Sequence, residues 1–123
     1  MAEHLESGRG AERLARTRLE RGGLSWIASN YRCRLGELDL VMSDDATLVV
    51  VEVRYRRSTR LMNPCETLTA PKLRRVALAT RHFVQRHRRW RDAPVRFDVV
   101  GIHGPLNDAR MNWIRGAFTI DNL

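Results

Sequence analysis

The sequence predicts a single α/β domain in which a mixed β-sheet is flanked by helices. Apolar residues recur at helical spacing in two separate segments, which indicates two amphipathic helices. Between these segments lies a run of four aliphatic residues, 48–51, and polar turns separate several short apolar stretches, as in a sheet. The expected order of elements is α-β-β-β-α-β, with an optional last strand. A length of 123 residues suffices for one such domain and its core.

The N-terminal half is predicted to form one helix and three strands. The helix covers residues 6–21, which are rich in Glu, Arg, Ala and Leu, and Gly22 and Gly23 end it. A hairpin loop at residues 43–46 joins the second strand to the third. Because the third strand contains the four consecutive aliphatic residues, it is expected to be buried on both faces at the centre of the sheet. The three strands are predicted at residues 24–31, 38–42 and 48–55.

The C-terminal half is predicted to add one helix and one or two strands. After an irregular polar loop, Thr69 is expected to cap the second helix, and Pro71 to lie in its first turn, where the missing N–H does no harm. A strand at residues 95–102 follows this helix. Residues 111–118 are predicted to form the optional strand at an edge of the sheet.

The charge of the chain favours a polyanionic partner. The formal net charge is +8, and Lys72 is the only lysine among the 22 basic residues. Arginine suits bidentate contacts with phosphate, although a genome-wide coding bias would produce the same excess. The hydrophobic fraction of 43% excludes a disordered chain, and no apolar stretch reaches the length of a membrane-spanning helix. Since the chain has no signal peptide and no patterned cysteines, a cytoplasmic location is expected.

Two acidic residues stand in strands that should avoid charge. Because side chains alternate along a strand, Glu37 and Asp39 are expected to share one face of the second strand, and Glu52 and Arg54 one face of the third. If these strands pair, Asp39 and Glu52 can hold a hard cation, Mg²⁺ or Mn²⁺. A neighbouring cation, Arg54 or Lys72, would then stabilise the charge that builds up on a phosphate.

Ordinary ion pairs are the alternative interpretation of these acids. Surface pairs are common in a chain with 29% charged residues. Arg54 or Arg32 could pair with Glu52, and Arg34 could pair with Asp39. Spacing alone leaves both interpretations open.

The same acids belong to a set of short motifs that runs through most of the chain. The set comprises Asn30-Tyr31-Arg32, Gly36-Glu37-Leu38-Asp39-Leu40, Val51-Glu52-Val53-Arg54 with Arg56, Lys72 and Arg96-Phe97-Asp98-Val99-Val100, with Gly10 and Glu12 in the first helix. Together these motifs resemble the YraN-type family of bacterial proteins. The resemblance implies a restriction-endonuclease-like core of the PD-(D/E)xK superfamily, similar to archaeal Holliday-junction resolvases. It covers about residues 8–118 of a single domain spanning residues 1–123, and residues 1–7 are expected to be flexible.

The resemblance also implies roles for the residues of the acidic motifs. Asp39 and Glu52 would be the two acidic ligands of the metal. The backbone carbonyl of Val53 would be a third ligand, and Glu37 would assist the metal or orient Asp39.

Three positions bear on whether the implied activity is retained. Glu12 resembles an additional acid that resolvase-like proteins use near the metal, and its alternative is an exposed helical glutamate paired with Arg16. Arg54 stands where the lysine of the motif belongs, and arginine cannot act as a general base although it can bind a scissile phosphate. Lys72 lies at a position where the family also tends to carry lysine, so it could supply the ammonium. Either Arg54 keeps an electrostatic role, or catalysis has been lost and binding remains.

The implied function is Mg²⁺- or Mn²⁺-dependent hydrolysis of phosphodiester bonds in branched or otherwise structured DNA, by analogy with the resolvases. The alternative is a nucleic-acid-binding module without turnover, and a third possibility is a metal-independent RNA-binding protein. Resolvases act as dimers, so a homodimer is also implied. The side chains expected to contact the phosphate backbone are those of Arg56, Arg57, Arg60 and Arg75.

Overall fold

A computed structural model describes the backbone of residues 2–60 and 63–120, and the side chains from residue 8 onward within those ranges. Over this part of the chain there are two α-helices, five β-strands and three short 3₁₀ helices. The α-helices and strands are α1 (Ala2–Arg21), β1 (Ser25–Cys33), β2 (Gly36–Asp44), β3 (Thr47–Arg56), α2 (Ala70–Arg86), β4 (Val95–His103) and β5 (Arg110–Phe118). The 3₁₀ helices are Pro64–Thr67, Arg88–Trp90 and Leu106–Asp108.

The five strands form one mixed sheet whose spatial order is the order of the chain. β3 and β4 run parallel, and α2 is the crossover that parallel neighbours require. The other neighbouring strands are antiparallel. β3 is the central strand, and residues 48–52 within it are buried, as the aliphatic run predicts.

The two helices cover opposite faces of the sheet, and each helix has its own hydrophobic cluster. In β3 the faces alternate regularly, with Val49 and Val51 toward α1 and Leu48 and Val50 toward α2. In β2 the alternation fails, because Leu38 packs in the α2 cluster while Leu40, two residues later, packs in the α1 cluster. The alternation of faces along β2 therefore breaks at Asp39.

The start of α2 is fixed by its cap, as the sequence predicts. The Oγ1 of Thr69 accepts a hydrogen bond from the backbone N–H of Lys72 at 3.3 Å, and Pro71 lies in the first turn. This arrangement places Lys72 in the first turn of the crossover helix, immediately after the loop that leaves β3.

The mixed α/β architecture and the edge strand β5 are confirmed, and several predicted boundaries are corrected. α1 begins at Ala2, and β1 continues to Cys33, because Cys33 pairs with Gly36 across a turn of two residues. A register shift between Trp26 and Ala28 explains the imperfect alternation along β1.

Two expectations about the domain as a whole are not tested by this architecture. Met1 and the side chains of residues 2–7 lie outside the described part, so the expected flexibility of residues 1–7 stays a prediction. The assignment to a restriction-endonuclease-like core likewise stays a prediction. No α-helix within the described ranges is both long and apolar enough to span a membrane.

Candidate active site

The junction between β2 and β3 brings Asp39 and Glu52 together. The antiparallel ladder is regular from Asp44 and Thr47 to Leu40 and Val51, so Asp39 and Glu52 lie one step beyond its last pair. There the backbone N–H of Val53 donates a hydrogen bond to Oδ2 of Asp39 at 2.9 Å. The carboxylate thus satisfies a backbone donor at the point where the two strands separate.

Glu52 is fully buried and lacks hydrogen-bond partners in the described part of the chain. Its side chain is 0% exposed, and neither Oε1 nor Oε2 receives a hydrogen bond from these residues. Lys72 Nζ lies 3.3 Å from Oε1, which is an ion-pair distance, but the contact lacks hydrogen-bond geometry. Burying a charged carboxylate without hydrogen bonds costs free energy, and a hard divalent cation bound to it would offset that cost. The site therefore fits such an ion.

Burial and neighbouring charges raise the pKa of both acids. Burial, followed by the charge of Asp39, raises the pKa of Glu52 to about 7, and the ammonium of Lys72 opposes this rise. Burial also raises the pKa of Asp39, while the hydrogen bond from Val53 and the charge of Lys72 lower it. Glu52 therefore exchanges its proton near neutrality, and a bound cation would displace that proton.

A third acid approaches from α1. Glu12 Oε2 accepts a hydrogen bond of 2.8 Å from Nδ2 of Asn30, and Asn30 has a φ of 53°, a left-handed conformation that asparagine tolerates. Burial raises the pKa of Glu12, and the charges of Asp39 and Glu37 raise it further. Glu12 therefore belongs to the same acidic neighbourhood, and Asn30 orients it.

The ion pairs offered as the alternative interpretation are replaced by others. Glu52 pairs with Lys72 rather than with Arg54 or Arg32. Arg32 Nε instead lies 3.5 Å from Glu37 Oε1. The alternative partner of Glu12 is also wrong, because Arg16 pairs with Glu20 at 3.2 Å on the exposed side of α1.

The predicted metal ligands form a pair of carboxylates rather than a larger cluster. Among the side chains of residues 8–60 and 63–120, no group of three histidine, cysteine or carboxylate residues converges closely enough to hold a metal ion. Glu37 is directed to Arg32. A metal between Asp39 and Glu52 would need the carbonyl of Val53 and water to complete its shell, which Mg²⁺ readily accepts because it usually retains several waters.

The predicted cations are divided between the acid pair and more distant surfaces. Arg54 is half-buried, its charge acts on both Asp39 and Glu52, and its Nε is buried without a hydrogen-bond partner among the described residues. Arg75 is exposed and lines a depression of about 370 Å³ together with Lys72 and Glu37. Arg56, Arg57 and Arg60 are exposed at the far end of β3 and in the loop beyond it.

Sequence reasoning missed some residues that surround the acids. Asn30 belonged to a recognised motif, but its left-handed backbone and its contact with Glu12 were not predicted. Arg34 and Arg32 line the same depression as Lys72 and Arg75. The signal that could have revealed them is the tight β1–β2 turn, which carries arginine on both sides of Cys33.

Fold and site together define a small mixed α/β protein with a pair of buried acids at a strand junction and an arginine-rich surface. The chain belongs to the family described as "Uncharacterised protein family UPF0102", which it matches over residues 11–102, and this confirms the resemblance to the YraN-type proteins. It is 47% identical over 118 residues to a UPF0102 protein of Stutzerimonas stutzeri, covering 96% of this chain and 98% of that protein. A UPF0102 protein of Nitrosococcus oceani is 40% identical over 121 residues, covering 98% of each chain.

Proposed function

We propose that this protein hydrolyses phosphodiester bonds in DNA, with Mg²⁺ or Mn²⁺ held between Asp39 and Glu52. The observation that carries the proposal is the buried carboxylate of Glu52, which lacks hydrogen bonds from the described residues and lies beside Asp39 and Lys72. A structural carboxylate normally has both oxygens satisfied by donors, whereas a metal ligand needs at least one oxygen left for the ion. The restriction-endonuclease-like core and the resolvase-like preference for branched DNA are part of this proposal.

The acidic and basic residues of the site have separate roles in the proposed reaction. When bound, Mg²⁺ would polarise the phosphate and lower the pKa of a coordinated water. Asp39 and Glu52 hold the ion, with the carbonyl of Val53 as a further ligand. Lys72 and Arg54 bind the non-bridging oxygens of the scissile phosphate and stabilise the charge that develops there.

The arginine at the position of the motif lysine is compatible with turnover. Arg54 cannot accept a proton, so its role is electrostatic. An ammonium is nevertheless available, because Lys72 Nζ lies 3.3 Å from the Glu52 carboxylate. Glu12, whose pKa is raised by burial and which is oriented by Asn30, is the candidate proton acceptor on the α1 side.

The nuclease assay uses supercoiled plasmid and four-way DNA junctions, with Mg²⁺, with Mn²⁺ and with a chelator. We expect metal-dependent cleavage that falls by at least about a hundredfold in Asp39→Ala and in Glu52→Gln. Glu20→Gln is the matched control, because Glu20 is an exposed acid on α1 that pairs only with Arg16 among the described residues. Cleavage that persists in both site variants would exclude this site as its source.

A second candidate function is nucleic-acid binding without turnover, and Arg54 is the residue that favours it. The two functions differ in what Lys72 does. If the protein is a nuclease, Lys72→Met lowers kcat by at least about tenfold, and Lys72→Arg recovers part of the activity because it restores the charge. If the protein only binds, no variant with or without metal cleaves DNA, while the affinity for DNA remains. Light scattering of the same samples tests the proposed homodimer.

A further inference from the structure

We propose that the surface around the acid pair binds a single unpaired DNA strand, which crosses β1 from one arginine-lined depression to another. The proposal deepens the proposed function, since it names the form of DNA that reaches Asp39 and Glu52. It concerns binding alone, so it can fail or succeed independently of hydrolysis.

The first depression lies on the α1 side of β1 and has a volume of about 230 Å³. Three arginines of α1 are separated by four and three positions, so they occupy one face of the helix. Arg9 and Arg13 are exposed, and Arg16 is half-buried. The depression is lined by Arg9, Glu12, Arg13, Arg16, Ser29 and Asn30.

The second depression lies between the β1–β2 turn and the first turns of α2 and has a volume of about 370 Å³. A Cβ at position 36 would lie only 2.7 Å from the carbonyl oxygen of Arg75, so glycine there lets the turn pack against the helix. This close packing brings arginines from two elements to one concave surface. They are Arg32 at the end of β1, Arg34 in the turn and Arg75 in α2, with Lys72 beside them.

The two depressions lie along the edge strand β1, one lined by α1 and the other by α2. Asn30 lines the first and Arg32 lines the second, so they are separated by two residues, or about 7 Å of strand. Glu12 lines the first depression and Glu37 lines the second. Each of them lies close enough to Asp39 for their charges to interact. Neither Asp39 nor Glu52 lines either of the two depressions, so Glu12 in the first and Glu37 and Lys72 in the second are the residues that connect this surface with the acid pair.

Exposed apolar side chains distinguish an unpaired strand from a duplex. Among the described residues, the exposed large hydrophobic side chains are Trp26, Leu35 and Met111, and two of these three adjoin the depressions. Trp26 is 41% exposed, donates a hydrogen bond of 2.9 Å to Oγ of Ser29, and lies under the guanidinium of Arg16 at 4.0 Å. Leu35 is 47% exposed and lines the second depression. Aromatic side chains beside a cationic groove bind the faces of unpaired bases, which a duplex keeps stacked.

This surface differs from the one that the sequence predicts for DNA contacts. Of the four predicted arginines, only Arg75 lines either of the two depressions. Arg56 lies four residues beyond Glu52 on the same strand, or about 13 Å away. The DNA strand is therefore proposed to contact α1, the β1–β2 turn and the start of α2, and not the end of β3.

The test measures the binding of fluorescent oligothymidylate by anisotropy in a chelator, with Asp39→Ala as the background so that hydrolysis plays no part. Two double variants each remove two charges from one depression, and a third, the matched control, removes one charge from the C-terminal half of α2 and one from the 3₁₀ helix that follows it. We expect each depression variant to weaken binding by at least about tenfold and to reduce the salt slope by about 0.7 for each phosphate that the protein no longer neutralises. The double variants are Arg9→Gln with Arg13→Gln, Arg34→Gln with Arg75→Gln, and the control Arg81→Gln with Arg88→Gln.

The stacking contact has its own test. We expect Trp26→Ala to weaken binding by about tenfold, and Trp26→Phe to retain most of the affinity because it keeps an aromatic face. The proposal is overturned if the control double variant weakens binding as much as the depression variants do, which would indicate attraction to net charge alone. It is also overturned if duplex DNA or an RNA oligomer of equal length binds more tightly than the DNA strand.

Discussion

Two buried carboxylates lie in neighbouring strands, and only one of them is satisfied by the protein. Asp98 on β4 and Glu52 on β3 are both 0% exposed. Asp98 accepts hydrogen bonds from Nε and Nη2 of Arg96, from Nε1 of Trp113 and from the backbone N–H of Gly116, all between 2.9 and 3.0 Å. Glu52 accepts none from the described residues.

The contrast separates a structural acid from a candidate functional one. Asp98 ties β5 to β4, and Arg96 extends its network to Asp44 at 3.1 Å. In the parallel register Asp98 faces Val51, so it points to the α1 side of the sheet, whereas Glu52 points to the α2 side. A buried acid with a full set of donors stabilises the fold, and one that lacks them is a candidate ligand.

The largest expected effect is the loss of stability when Asp98 loses its charge. Asp98→Asn removes the negative charge that pairs with Arg96 and replaces one of the two accepting oxygens by an NH₂ donor, so two of the four hydrogen bonds are lost. We expect the free energy of unfolding to fall by about 3 kcal/mol, as measured by urea denaturation. Glu52→Gln is the matched variant, and it should cause no such loss. Equal losses in the two variants would remove the distinction between these acids.

The next effect is a dependence of stability on pH that originates at Glu52. Its pKa is about 7 in the folded protein against an ordinary value of 4.5, so protonation favours the folded state. Its contribution to stability is therefore complete below pH 4.5 and is lost as the pH rises to about 7, with a slope of up to about 1.4 kcal/mol per pH unit.

Denaturation in metal-free buffer across this pH range measures that slope. The slope should be smaller in Glu52→Gln, because glutamine does not titrate. If wild type and variant show the same dependence on pH, Glu52 is not the group responsible.

A smaller effect is expected at the cap that positions Lys72. Thr69→Ala removes the acceptor for the backbone N–H of Lys72, so α2 should lose about 1 kcal/mol of stability. Thr69→Ser keeps the hydroxyl and serves as the control. Thermal denaturation distinguishes the two, and equal midpoints for both variants would show that this hydrogen bond does not stabilise the helix.

The sequence predicted the scaffold of the site better than its contacts. The hairpin between β2 and β3 was enough to expect Asp39 and Glu52 to converge, because it fixes the register of the two strands, although the alternation assumed for β2 fails at Asp39. Spacing could not predict that Glu52 would pair with Lys72, since that contact depends on how α2 packs after the crossover. The left-handed φ of Asn30 could not be predicted from the sequence either, because no turn signal surrounds this residue within β1.

The partners of Glu12 and Asp98 could not be predicted from local sequence either. For Glu12, the spacing rule offered Arg16, but the actual partner is Asn30, which is eighteen positions away in sequence. Asp98 was recognised within a motif, yet its role as the acceptor for four donors depends on β5 being paired beside β4. Local patterns therefore identified the residues, and tertiary packing decided their partners.

The central claim is that Asp39 and Glu52 together hold a divalent cation, and a calorimetric titration with Mg²⁺ and Mn²⁺ tests it most directly. We predict saturable binding of the metal by the wild-type protein, with release of protons near pH 7, and loss of this binding in Asp39→Asn and in Glu52→Gln but not in Glu20→Gln. Binding that is unchanged in the two site variants would contradict the account, as would the absence of metal binding to a folded wild-type protein.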